Sequence, residues 1–223
     1  MPFFNSNLKP HDDKFRLKST SVDERALLAF EKGTSAQSQD DLLSFILFSI
    51  LVVKRKKSPF DNPEDWFGEL QSTMSRIGFF TTGSEWYTGQ LSSEITLSQV
   101  ALDIIRSDTR DAVKQAFEAI GKSDNEEALR VLNSAAGDHK KAALLTGLTS
   151  RNGNASTLTL YGFFGKVSKP NDNVLESGLK QGDEFSYGQI EAILTDTMAK
   201  KVRKIMKERL APYFDEYVKP VKL

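Results

Sequence analysis

Leu42-Leu43-Ser44-Phe45-Ile46-Leu47-Phe48-Ser49-Ile50-Leu51-Val52-Val53 is a run of twelve residues without a charge. Asp40-Asp41 precede it and Lys54-Arg55-Lys56-Lys57 follow it. The acidic start and basic end suit a helix macrodipole. As a helix the run is apolar on nearly every side, which places it in the middle of a protein or in lipid. Its Phe, Ile and Val content also suits a buried strand, and periodicity does not separate the two; helix is the reading taken. Twelve residues span about 18 Å at ~1.5 Å per residue, and a bilayer core of ~30 Å needs roughly 20, so a single-pass anchor is not expected.

Outward from this run, residues 1–20 are polar, aperiodic and interrupted by Pro10, and read as an arm. Ser21-Val22-Asp23-Glu24 has the form of a capping box, predicting a short helix through Leu27, Leu28 and Phe30 to Gly33. Asn62-Pro63 followed by Glu64-Asp65 opens another helix, with Phe67, Leu70, Met74 and Ile77 as its apolar stripe. Gly78 to Gln90 is rich in Gly, Thr and aromatic residues and reads as irregular or a short hairpin. Leu97 to Ile105, Val113 to Ile120 and Ala128 to Ala135 each carry helical spacing; Asp108 and a second capping box at Ser123-Asp124-Asn125-Glu126 mark two of the starts.

After Lys141 the pattern changes to strands at Ala143–Thr149, Thr157–Ser168 and Glu184–Leu194. Gly162 and Gly165 flank Phe163-Phe164, where glycine permits bending or close packing. Phe185 and Tyr187 fall out of phase with Ile190, Ala192 and Leu194, which predicts a bulge at Gly188. Thr195 or Asp196 caps a final helix that ends before Pro212. The fold class is therefore α+β: a mostly helical N-terminal two-thirds around a central apolar helix, then a small antiparallel sheet and a basic C-terminal helix. The expected organisation is an arm (1–20) and one domain (21–223), with a helical part 21–140, a strand-rich part 141–195 and the last helix 196–211.

The chemistry is bounded mostly by exclusion. Thirty basic residues balance thirty acidic ones and there are no cysteines, so thiolate nucleophiles, disulfides and Cys-based zinc sites are ruled out. The two histidines cannot make a His-based zinc site alone. His139 beside Asp138 resembles a base with its orienting acid, but adjacent residues rarely present that geometry and no nucleophile motif accompanies them. No phosphate-binding glycine motif is present. The three central helices lack the positive excess that phosphate contact favours, so no nucleic-acid partner is expected. No catalytic, metal or cofactor residue is assigned and no cofactor is expected. The start of the chain lacks the form of a Sec signal peptide, which points to a cytoplasmic protein or one exported without a cleavable signal.

The remaining signal is electrostatic. Thr197 to Ala211 holds six basic residues against Glu208, beside an apolar stripe of Met198, Val202, Ile205 and Met206. Such a helix lies on an anionic surface or packs its stripe and leaves the lysines solvated. The expected function is a non-enzymatic protein that associates with an anionic membrane surface or a protein partner, in the manner of an exported virulence or toxin-like factor. The alternatives are a soluble interaction subunit whose apolar helix is its core, and a hydrolase without a recognisable motif. Candidate contacts are Phe45, Phe48, Ile50, Lys54, Arg55, Lys56, Lys57, Trp86, Tyr87, Lys200, Lys201, Arg203, Lys204 and Lys207.

Overall fold

A computed structural model describes residues 17–138 and 140–223. The elements follow in the order β1 (Leu17–Asp23), β2 (Ala26–Glu31), α1 (Ala36–Lys54), α2 (Pro63–Ile77), β3 (Phe80–Gln90), β4 (Ile95–Thr96), α3 (Leu97–Ile104), α4 (Ser107–Ile120), α5 (Glu126–Ala136), β5 (Gly137–Asp138), β6 (Lys141–Asn152), β7 (Ala155–Lys166), β8 (Gly178–Leu179), β9 (Glu184–Thr195), α6 (Asp196–Leu210), α7 (Phe214–Tyr217) and β10 (Val218–Val221).

The class is α+β, as the sequence predicts, but the sheet is large and mixed rather than small and antiparallel. Eight strands form it, in the order β10-β1-β2-β6-β7-β9-β3 with β5 beside β6. The β2–β6 pair is parallel and the others are antiparallel. β2 and β3, and the end of β1, stand within the part of the chain expected to be helical.

Side chains alternate between two cores. Val22, Leu27, Leu144, Phe163 and Phe185 face α3, α4 and α5. Leu28, Phe30, Leu145, Leu160, Phe164 and Ile190 face α1, α2 and α6. Phe163 and Phe164 therefore serve opposite cores, one ring each. Because helices cover both faces, central strands read as continuous apolar runs. That is why Ala26-Leu27-Leu28-Ala29-Phe30, wholly buried, passes for a helix in the sequence.

Ser21-Val22-Asp23-Glu24 is accordingly not a capping box. Ser21 to Asp23 lie in β1, and Glu24-Arg25 make the two-residue turn into β2, with Glu24 at φ 55°. Asp23, Glu24 and Arg25 are all buried there. Glu24 accepts from Arg25 Nε (2.9 Å) and Lys54 Nζ (2.8 Å), and Arg25 lies over the Phe60 and Trp66 rings. Neither oxygen of Asp23 has a hydrogen-bond partner among the described residues. Burial, then the neighbouring Glu24 charge, pushes the Asp23 carboxyl well above its usual range.

α2 starts as its sequence predicts, with Asn62 Oδ1 accepting from Asp65 N at 3.2 Å. The expected starts of α4 and α5 are corrected. Arg106 precedes α4 without a side-chain cap, and Ser123–Asn125 form a 3-10 turn ahead of α5. Asn125 instead holds the C-terminal segment: its amide donates to Ala119 O and Lys222 O and accepts from Lys222 N. Gly78 to Gln90 is mostly the eleven-residue edge strand β3. Residues 17–20 belong to β1 rather than to an arm, and the rest of the expected arm, with His11, lies outside the described residues. His139 does also. Beyond Pro212 the chain adds α7 and β10, and β10 pairs with the outer edge of β1.

Gly188 carries no bulge: β9 keeps continuous register with β7 through it, and the one shift along β3–β9 falls between Thr81 and Gly83. Gly162 and Gly188 are cross-strand partners, and the Phe67 ring of α2 rests on both. Glycine is needed there for close approach.

Candidate functional site

α1 resolves the apolar run as a helix of 19 residues, longer than the uncharged stretch because it starts at Ala36 with N-cap Ser35. At ~1.5 Å per residue it is about 28 Å long. The helix is thus longer than the run suggests: by length, and by a mean hydropathy of 1.3 over 18 of its residues, α1 is of membrane-crossing size. Within the fold, however, it is a core element. Leu42, Phe45, Ile46, Leu47, Ile50 and Val53 are fully buried, and Phe45 meets Phe79 edge-on at 5.8 Å. Ser49, the buried polar interruption, donates to Phe45 O at 2.8 Å. Phe48 is half-buried.

The basic stop that follows is largely neutralised inside the molecule. Lys54 pairs with Glu24, Lys56 with Glu69 (3.2 Å) and Lys57 with Asp65 (3.1 Å), while Arg55 is exposed. These lysines seat the end of α1 against the β1–β2 turn and the start of α2. The Lys56 hydrogen bond, helped by the charges of Lys56 and Arg76, holds the Glu69 carboxyl below its usual range.

Trp86 and Tyr87 do not form one aromatic contact. They alternate across β3: Trp86 packs on Phe67 (5.8 Å) and Phe164 (5.5 Å) in the α2 core, whereas Tyr87 lies on the other face against Tyr187 (5.3 Å).

α6 is different. Thr195 accepts from Met198 N at its start (3.3 Å), and Asp196 occupies the first turn. Ala199 and Met206 are buried against the α1 side of the sheet, Leu210 is buried as well, and Met198 lies against Gly78. Arg203 makes two hydrogen bonds to Asp41 of α1, Nε to Oδ1 and Nη2 to Oδ2, each 2.8 Å. Asp41 is nearly buried, so this fork fixes α6 on α1. Arg151 does the same at the helix start, bonding both oxygens of Asp196 (2.7 and 2.8 Å) and holding that carboxyl below its usual range.

With its apolar stripe and Arg203 turned inward, α6 presents Lys200, Lys201, Lys204 and Lys207 to solvent. Among the described residues the one ion pair these four make is Lys204–Glu208, at 3.9 Å within the helix. Ile205 stands exposed among them. The sequence places Ile205 in the buried stripe; at 100° per residue it falls beside Lys201, on the far side from Ala199 and Met206. Of the candidate contacts, the structure thus gathers four lysines on one outward face, pairs Lys54, Lys56, Lys57 and Arg203 internally, and buries Phe45 and Ile50. No group of His, Cys, Asp and Glu able to hold a metal occurs among the described residues.

No family model matches the chain, and no curated protein sequence matches it. Solved structures resemble it at low identity. A structure of the Evf virulence factor aligns over 93% of this chain and 87% of its own, with 10% identity and a TM-score of 0.39. A delta-endotoxin aligns over 87% and 90%, with 11% identity and a TM-score of 0.38. Activated Cyt2Ba monomer from Bacillus thuringiensis subsp. israelensis aligns over 78% of this chain and 98% of its own, with 10% identity and a TM-score of 0.35.

Proposed function

We propose that the protein is a non-enzymatic factor that docks on anionic membrane surfaces through the outward face of α6. The observation that carries the reading is the division of that helix: apolar groups and Arg203 are used to seat it, while four lysines and Ile205 face solvent. Each lysine near an anionic surface contributes about 1 kcal/mol, and exposed Glu208 among them offsets about one, so the face supplies roughly 3 kcal/mol, with Ile205 adding a small apolar contact. The attraction is screened within a Debye length and therefore falls with salt. The burial of α1 makes the contact peripheral, with the fold intact on the surface. A toxin-like action is the stronger form of this reading, in which docking is followed by leakage of the bilayer; the protein then meets its target after export.

Co-sedimentation with vesicles of phosphatidylcholine alone and with added phosphatidylserine tests it. Binding is expected only with phosphatidylserine, is lost at high salt, and is lost in the variant Lys200→Glu/Lys204→Glu/Lys207→Glu. Equal binding of that variant removes the proposal; binding of an acidic protein but of no vesicle moves it to a soluble interaction subunit. Release of an entrapped dye separates docking from the toxin-like form.

A further inference from the structure

The sheet ends on two unlike edges. β10, at one end, has four residues, among them Lys219 and Pro220, and proline has no N–H to offer a further strand. β3, at the other end, has eleven residues and neither proline nor lysine. Among the described residues it pairs with β9 alone, and no backbone hydrogen bond reaches it from another element. Ser84, Glu85, Tyr87, Thr88 and Gln90 are exposed. A long open edge of this kind is a template for another strand.

The β3–β9 ladder fixes which groups the edge offers. Just past the end of β3, Leu91 N donates to Asp183 O at 3.1 Å, in line with the register of the two strands. Residues of an antiparallel strand turn their N–H and C=O to alternate sides, so the odd-numbered residues from Gly83 onward bond to β9. Ser84, Trp86, Thr88 and Gln90 therefore turn their N–H and C=O groups outward, in a continuous row.

We propose that β3 is a dimer interface, pairing antiparallel with β3 of a second copy of this chain. The strand complements itself best with Tyr87 on the two-fold axis. Ser84 then stands opposite Gln90 and Trp86 opposite Thr88, so every outward residue of each copy exchanges backbone hydrogen bonds. The side chains agree with this register. Tyr87, 54% exposed, meets its twin across the axis, and directly opposed aromatic residues stabilise a strand pair. Glu85, the one charged residue of β3, faces Gly89 of the second copy; a register centred on Glu85 would set two carboxylates against each other. A Cβ at Gly89 would lie 2.5 Å from the Tyr87 hydroxyl, so that ring leans over Gly89. Its hydroxyl, a donor, is thereby brought toward Glu85 of the second copy, an acceptor, and the two-fold axis repeats the contact. This self-complementarity favours a second copy over an unrelated strand, and a formal net charge of zero sets no overall repulsion between copies. Because β10 is blunted, the pairing closes as a two-fold dimer instead of extending into a filament. It uses no residue of α6 and stands whether or not that helix docks on a membrane. A single paired edge is a small interface, under ~1,200 Å², so a dissociation constant of about 10–100 micromolar is expected.

Sedimentation equilibrium of the full chain from ~1 to ~500 micromolar tests the proposal, with the mass expected to rise from 24.9 kDa toward twice that value. Thr88→Pro removes an outward donor at an edge position that accommodates proline, and Tyr87→Lys sets two like charges together on the axis. Each is expected to weaken association about tenfold or more, and circular dichroism checks that both variants are folded. The register has its own readout, because the chain has no cysteine. Tyr87→Cys places two thiols directly opposite each other and is expected to oxidise to a covalent dimer, whereas Glu85→Cys, offset from its twin, is not. A monomer at every concentration, association unchanged in both Thr88→Pro and Tyr87→Lys, or cross-linking through Glu85→Cys in place of Tyr87→Cys overturns the assignment.

Discussion

Replacing Gly188 by alanine tests whether the sheet and α2 meet as described. A Cβ there would lie 2.4 Å from Phe67 Cε1, 2.6 Å from Cδ1 and 2.9 Å from Trp86 Cε3. Ordinary contact begins near 3.4 Å, so the ring must move by about 1 Å. It has little room: Phe67 is nearly buried, with Trp86 at 5.8 Å and Phe164 at 6.1 Å. Overpacking of this kind costs about 1–3 kcal/mol. Alanine recovers ~0.5–1 kcal/mol through the smaller entropy of its unfolded chain, which leaves a net loss of about 1–2 kcal/mol. Urea unfolding followed by circular dichroism measures the loss, and Trp86 fluorescence reports the shift of its neighbour. Phe67→Leu relieves the clash, so the double variant should be more stable than the sum of the single losses by at least ~0.5 kcal/mol. A Gly188→Ala protein as stable as the parent, or strictly additive losses, would refute the reasoning.

Other perturbations probe the remaining contacts. Leu47→Asp places a charge at a fully buried position of α1 and should abolish cooperative folding, seen as a lost thermal transition; a folded, soluble variant would contradict a core role for the helix. Arg203→Gln breaks the fork to nearly buried Asp41 and should cost about 1.5–3 kcal/mol in urea, little changed by salt; a loss under ~0.5 kcal/mol would show that the pair does not seat α6. Asp23 holds its proton in the folded state at pH values where the unfolded chain, titrating near ~3.9, has released it. Its contribution to stability is full below that value and is lost as pH rises through the folded pKa. The stability of Asp23→Asn relative to the parent should therefore improve from pH 4 to pH 8, and parallel profiles would exclude the linkage.

Elements with one covered face were legible before the structure. α2, α3, α4, α5 and α6 pack one stripe each and leave the other side wet, so their 3.6-residue periodicity survives in the sequence. The strands covered on both faces lost their alternation, and β2 was misread for that reason. Local turn chemistry misled in the same region: Ser21 to Glu24 satisfies a capping pattern, while the chain uses Glu24 at positive φ to turn between strands. The tertiary fold also reassigned the candidate contacts. Lys54, Lys56 and Lys57 read as a free basic stop, yet their acidic partners Glu24, Glu69 and Asp65 lie between 8 and 30 residues away in sequence. Trp86 and Tyr87 both read as candidate contacts in one aromatic-rich segment, and strand geometry sends them to opposite faces.

The run from Leu42 to Val53 by itself determined that some element must be shielded from water on every side, because no face of it offers a polar group beyond two serines. The spacing of Met198, Val202 and Met206 among six basic residues likewise determined the amphipathic character of α6. What only the tertiary structure decided was the shield. A mixed sheet, closed by the parallel β2–β6 pair and the distant C-terminal β10, supplies the apolar surface on which α1 rests with α2 and α6. Pairings across more than a hundred residues depend on which surfaces meet, and local periodicity carries no record of them. The lysine face of α6 is exposed for the same reason: Asp41 of α1 fixes which side of that helix turns inward.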